Sequence, residues 1–287
     1  MSLRFSYGTN GFTDHRLPDA LAIIAELGYE GVALTLDHQH LDPFASDLAA
    51  RVAHTAELLD RHGLAVAVET GARFVLDPWR KHEPTFVSAD RREERAELIR
   101  RAVDIAVDLG AEVVHLWSGI LPPDTPPEVG WERLVTGLAP VVEHAEAAGV
   151  RLAFEPEPGM FIDRLAGVEE LRSRLGHPGA LHATVDVGHA LVTEDSGPHD
   201  LIRAHADIVT HVQIEDMRRG VHEHLEFGEG DVDVPATLGA LLDIGYTGLV
   251  SVELSRHSHA APAVAERSLA ALRAALATAT SSRAVRS

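Results

Sequence analysis

Leu152-Ala153-Phe154-Glu155 is followed along the chain by Ala183-Thr184-Val185-Asp186, Thr210-His211-Val212-Gln213 and Val250-Ser251-Val252-Glu253. Each is a short strand-like run that ends on a side chain able to ligate a metal. As parallel neighbours in one sheet, such runs bring their last side chains to a single rim. A lone carboxylate at a strand end is ordinarily a helix cap or an arginine partner. Four such ends in series point to a divalent cation.

The same reading extends outward. Further strand candidates are Leu3–Tyr7, Gly31–Thr35, Ala65–Glu69 and Val113–Trp117; with Arg151–Glu155, His182–Asp186, Val209–Ile214 and Leu249–Glu253 they make eight. Helix-period segments alternate with them: Asp19–Leu27, Ala45–His62, Arg91–Leu109, Trp131–Ala148, Gly167–Leu175, Asp200–Ala206, Pro235–Ile244 and Ala263–Leu276. The first four stop at Gly28, Gly63, Gly110 and Gly149, and Asp90 is placed to cap the third. This alternation predicts an α/β fold, a single (β/α)8 barrel over residues 1–277 with a flexible tail at 278–287. An open doubly wound sheet competes, but it wants a Gly-rich turn after the first strand. Tyr7-Gly8-Thr9-Asn10-Gly11 is too sparse for that.

Composition narrows the chemistry. The 287 residues include no cysteine, which removes disulfides, thiolate metal sites and thiol nucleophiles. A net charge of −19 argues against nucleic-acid and anionic membrane partners, and no apolar run approaches the roughly 20 residues that span a bilayer. The first residues lack the apolar core of a signal peptide, so the cytoplasm is the expected location and a small molecule the expected partner. Of 25 basic residues only Lys81 is a lysine, in the polar stretch Arg80-Lys81-His82-Glu83-Pro84. A solvated lysine stays protonated, which argues against imine chemistry.

Barrel active sites are built at the carboxyl ends of the strands. Glu155, Asp186, Gln213 and Glu253 fall at that edge, and hard oxygens with one amide suit Mn²⁺ or Mg²⁺. Nearby histidines would admit Co²⁺ or Zn²⁺. Trp117, Trp79 and Phe12 lie near strand ends as candidate pocket walls, with His115 placed to touch substrate. His115 and Glu69 could also add ligands.

Together, Phe154-Glu155-Pro156, Asp186-Val187-Gly188-His189, His211-Val212-Gln213-Ile214-Glu215-Asp216, Gly228-Glu229-Gly230 and Gly245-Tyr246-Thr247-Gly248 before Val252-Glu253 carry a resemblance. Over nearly its whole length the chain resembles the xylose isomerase-like barrel superfamily of sugar isomerases and epimerases. Similarity to the ketose 3-epimerase and hydroxypyruvate isomerase branches implies metal binding by Glu155, Asp186, the seventh-strand residue and Glu253. It also implies substrate contacts from His189 and Arg219, and it admits a homo-oligomer. Epimerases usually carry histidine where this chain has Gln213, whereas hydroxypyruvate isomerases carry glutamine. Strand side chains alternate, so His211 shares a face with Gln213 and is the fallback ligand.

The expected activity is isomerisation or epimerisation of a small keto-sugar, polyol or hydroxy-keto acid through an enediolate. A cation would polarise the carbonyl, while Glu155 and Glu253 remove and return the α-proton. His189 would donate to the developing oxyanion, and Arg219 would hold a terminal hydroxyl, carboxylate or phosphate. His222 and His224, with His189, resemble the segment holding an extra zinc in endonuclease IV-type members. That implies a second or third ion and, as the rival activity, a phosphodiesterase-like multinuclear metallohydrolase. An enolate-forming lyase or dehydratase shares the first chemical step, and a sugar-binding barrel without turnover is the non-catalytic alternative.

Overall fold

The structure, a computed structural model, describes residues 2–71 and 73–286, the side chains of 284–286 excepted. Eight parallel strands close into a barrel: β1 (Arg4–Gly8), β2 (Gly31–Thr35), β3 (Ala65–Glu69), β4 (Val114–Trp117), β5 (Leu152–Glu155), β6 (Leu181–Asp186), β7 (Val209–Ile214) and β10 (Leu249–Val252). β10 closes the ring between β7 and β1. A separate antiparallel hairpin, β8 (Asp216–Arg218) and β9 (Val221–Leu225), follows β7. Around the strands run α1 (Leu17–Leu27), α2 (Leu48–His62), α3 (Arg92–Leu109), α4 (Pro127–Ala148), α5 (Leu165–Arg174), α6 (Val187–Thr193), α7 (Pro198–Ala204), α8 (Val234–Asp243) and α9 (Ala261–Arg286). The chain is a (β/α)8 barrel, as its alternating pattern predicts. No helix among the described residues is long and apolar enough to cross a membrane.

Local departures have identifiable causes. Asp90 does not cap α3; Arg91 holds the cap position at φ 55°, where its guanidinium pairs with Glu94 (2.7 Å) and Asp77 (3.2 Å). Residues 278–286, expected as a flexible tail, continue α9. The Thr and Ser residues of that stretch are weak helix formers, so tertiary contacts hold the extension: Ala279 is buried and Arg283 reaches Asp243 (3.4 Å).

Alternation along the strands sends one set of side chains to the helices and the other into the barrel. The outward set, including Val68, Leu116, Phe154, Val185 and Val212, forms the main core. Each such side chain contributes about 1.5–3 kcal/mol of transfer free energy. The inward set is graded along the axis. Near the amino-terminal end Ala67, Val113, Ala153 and Leu249 make a small apolar cluster. Gly31 is required there, because a Cβ would lie 2.6 Å from Leu249 and 2.9 Å from the Ala65 carbonyl. Higher up, Ser6 and Ser251 share a 2.6 Å hydrogen bond and Thr184 donates to the Ala153 carbonyl (3.0 Å). The carboxyl-terminal layer holds the charged groups. Register sets Glu69 beside His115 and, after a shift between Ala183 and Thr184, Asp186 beside Gln213.

Candidate active site

Glu155 ends β5 and is buried. His115, from the adjacent β4, donates through Nε2 to Glu155 Oε2 (2.6 Å), and His189 Nδ1 approaches Oε1 to 3.0 Å. Because α6 begins directly at the end of β6, Asp186 is also a helix cap. Its Oδ1 accepts the His189 backbone N–H (2.7 Å), while Oδ2 is buried without a hydrogen-bond partner. That cap fixes where the His189 ring can stand. Gln213 donates its amide to Glu69 Oε1 (3.1 Å) and Glu253 Oε2 (2.9 Å), which leaves its carbonyl oxygen unpartnered. Asn10, in the turn after β1, donates to Glu253 Oε1 (3.0 Å).

Buried polar atoms normally find partners. Here Asp186 Oδ2, Gln213 Oε1, Glu215 Oε2, both ring nitrogens of His189 and His224 Nδ1 have no hydrogen bond. Ligand atoms of Glu155, Asp186 and His189 lie within 4.8 Å of one another, and the same holds for His189, His222 and His224 and for Asp186, Glu215 and His224. Carboxylates, one amide oxygen and imidazoles form a donor set that fits a divalent cation. The residues present therefore fit the group their positions imply.

The electrostatics divide the carboxylates. Burial alone would raise Glu155, but His115 and His189 override it and hold the carboxyl well below its usual range. Burial likewise opposes the charge on His115, yet Glu155 lifts it to about 9. Glu157 is pushed up to about 7 by burial and then by the charge of Glu155. Burial raises Glu215 to about 8, with Glu253 adding to the effect. Glu253 itself is raised by burial, reinforced by Glu69 and Glu155. His222 is lowered to about 4, first by burial and then by His189, so it stays neutral and able to ligate.

These groups surround a cavity of about 660 Å³ at the carboxyl end of the barrel. Glu155, Gln213, Glu253, His189, His115, Trp117, His222 and His224 all line it. Asp186 is buried behind Glu155 and His189, whereas His211 is fully buried below Gln213 with Nε2 3.3 Å from Glu69. Arg219 is not among the lining residues. It sits exposed in the β8–β9 turn closed by the Arg218–Val221 pairing, where its backbone N–H donates to Asp231 (3.0 Å). Phe12 is core and Trp79 is 90% exposed, so neither forms the wall. Three residues that the strand-end pattern does not single out also belong to the site: Asn10, Glu157 and Glu215. Glu215 accepts the Gly188 backbone N–H (3.1 Å) beneath the His189 turn, and a Cβ on Gly188 would sit 2.1 Å from its oxygen.

A family described as xylose isomerase-like TIM barrel matches residues 21–275. Among individual relatives, a 2-oxo-tetronate isomerase of Cupriavidus necator is 26% identical over 248 residues, covering 84% of this chain and 88% of its own. An uncharacterized protein of Methanocaldococcus jannaschii is 25% identical over 272 residues, covering 88% of this chain and 84% of its own. Among solved structures, an L-ribulose 3-epimerase superposes with a TM-score of 0.80 at 22% identity, covering 100% of this chain and 98% of the other.

Proposed function

The chain belongs to the xylose isomerase-like TIM barrel family, and from that premise we propose a divalent-metal-dependent isomerase or epimerase of a small ketose, polyol or hydroxy-keto acid, acting through an enediolate. One observation carries the reading. Glu155 and Glu253, separated around the barrel by β6 and β7, face a single cavity and differ in how readily they hold a proton. Carboxylates tuned apart in this way divide the roles of base and acid. The similarity to a 2-oxo-tetronate isomerase and to an L-ribulose 3-epimerase supports the same class of reaction.

Glu155, Asp186, Gln213 and Glu253 would hold the cation, with His211 in reserve. When bound, the ion supplies the positive charge that polarises a substrate carbonyl and favours the enediolate. Glu155, kept deprotonated by His115 and His189, takes the α-proton. Glu253, steadied by Asn10 and Gln213, returns a proton from its own side. His189 donates to the oxyanion, and Trp117 walls the substrate from water. The test is α-proton exchange from deuterated solvent across a panel of ketoses, sugar acids and their phosphates, with bound metal measured on the same sample. A metal-loaded protein that exchanges no proton with the whole panel ends this reading.

The three-histidine cluster favours a second reading. The rings of His189, His222 and His224 stand 4.6 to 5.5 Å apart, centroid to centroid, at the β8–β9 hairpin. With a second ion there, the site would suit hydrolysis by a multinuclear centre. Two ions per chain together with turnover of bis(p-nitrophenyl) phosphate would favour it.

A further inference from the structure

The cavity has an acidic floor and a basic rim. Arg73 and Lys81, from the segment after β3, and Arg256, from the loop after β10, all line it. Arg73 donates to Ser255 Oγ (3.2 Å), which ties the two loops together. Arg256 is held by Glu223 of β9 (2.9 Å). Neither Arg73 nor Lys81 pairs with a carboxylate among the described residues. Lys81 is the single lysine of a chain whose net charge is −19, yet it stands at this opening. Its ammonium pKa is depressed by partial burial and then by Arg73, with Arg256 adding to this and Glu157 opposing it. Like charges gathered this closely are unfavourable until an anion joins them.

The geometry points to a substrate with a terminal anionic group, a carboxylate or a phosphate, bound against Arg73 and Lys81 while its carbonyl end lies on the floor. Arg73 offers planar paired donors and Lys81 a compact charge, and Arg256, oriented by Glu223, extends the positive field. Arg219, the side chain expected to hold such a terminus, is exposed and does not line the cavity. This inference rests on the proposed reaction only in placing the reacting end on the floor.

The test uses a matched set of three-carbon probes: glycerol, D-glycerate and sn-glycerol 3-phosphate. Each is titrated calorimetrically into manganese-loaded full-length protein. The expected affinity for at least one anion exceeds that for glycerol by about 100-fold, and Arg73→Gln or Lys81→Gln each lowers that ratio about tenfold. The double variant brings it close to one, whereas Arg61→Gln on the outer face of α2 leaves it in place. A stronger response to glycerate assigns a carboxylate, and a stronger response to the phosphate assigns a phosphate. A wild-type ratio near one overturns the inference, as does a double variant that keeps the full preference while melting like wild type. Proton exchange is followed in parallel. Anion preference without exchange removes the reaction and keeps the rim; exchange without anion preference does the reverse.

Discussion

At the amino-terminal end of the barrel, the Tyr246 hydroxyl donates to the carbonyls of Leu249 (2.9 Å) and Thr210 (3.3 Å), and Arg4 bridges the Thr247 carbonyl (2.5 Å) and Glu112 (2.7 Å). Leu249 fills the space beside Gly31. At the other end, a few residues further along the same strands, carboxylates and imidazoles are buried with several of their polar atoms unmet. Buried charges without full compensation cost folding free energy. One end of the barrel is thus arranged for stability, and the other holds groups that a bound cation and substrate would complete. Substitutions should separate the two ends cleanly, with activity lost at one and stability at the other.

The largest effect belongs to Glu155→Gln. Removing the base is expected to slow α-proton exchange about 10²–10⁴-fold. The thermal midpoint of the metal-free variant should also fall, by no more than the pair with His115 contributes, so exchange is compared per folded molecule. At the opposite end, Leu249→Ala should destabilise the fold by about 2–5 kcal/mol in urea titrations, while the folded fraction keeps its exchange rate. Were Leu249→Ala to abolish exchange without loss of stability, the division between the two ends would be wrong.

Metal addition sharpens the same contrast. Stripping with a chelator and then adding Mn²⁺ at about 100 times its dissociation constant should stabilise wild type by about 2.7 kcal/mol, or raise the melting midpoint by about 5 °C. Asp186→Asn should reduce that gain, and Tyr246→Phe should leave it unchanged even though it lowers the starting midpoint. Scanning calorimetry with and without the ion measures both.

The carboxyl-terminal end, where the proposed chemistry lies, is also the more legible in the sequence. Inward-facing side chains near the carboxyl ends of parallel strands reach one rim, so Glu155 and Asp186 at their strand ends, Gln213 one residue before the end of β7 and Glu253 just past β10 follow from local pattern. Residues that reach the cavity from irregular backbone left no such trace. Glu157 lies beyond Pro156, Asn10 in the turn after β1, and Arg73 and Lys81 in a long segment without period. The β8–β9 hairpin leaves no strand signal either, because Val221-His222-Glu223-His224-Leu225 has no fully buried face. Arg219 lies in that hairpin's turn, exposed and outside the cavity lining. The architecture was simpler to read, since eight apolar strands alternating with helices leave few topologies open.

The smallest expected effect concerns pH in the metal-free protein. His115 is lifted to about 9 by Glu155, against an unfolded value of about 6.5. Between those values the folded state binds more protons than the unfolded chain, so the stabilisation is complete below the lower value and is lost as pH rises through the upper one. Glu215, raised to about 8 by burial, pushes in the same direction, so wild type alone does not isolate the pair. The difference between wild type and His115→Gln does. From pH 6 to pH 9, wild type should lose about 1–3 kcal/mol more than the variant, read from urea midpoints. Repeating the series with Mn²⁺ tests the comparison itself. A cation at Glu155 competes with His115 for the carboxylate, so the difference should shrink, and an undiminished difference would mean that Glu155 is a structural ion-pair partner and not a ligand.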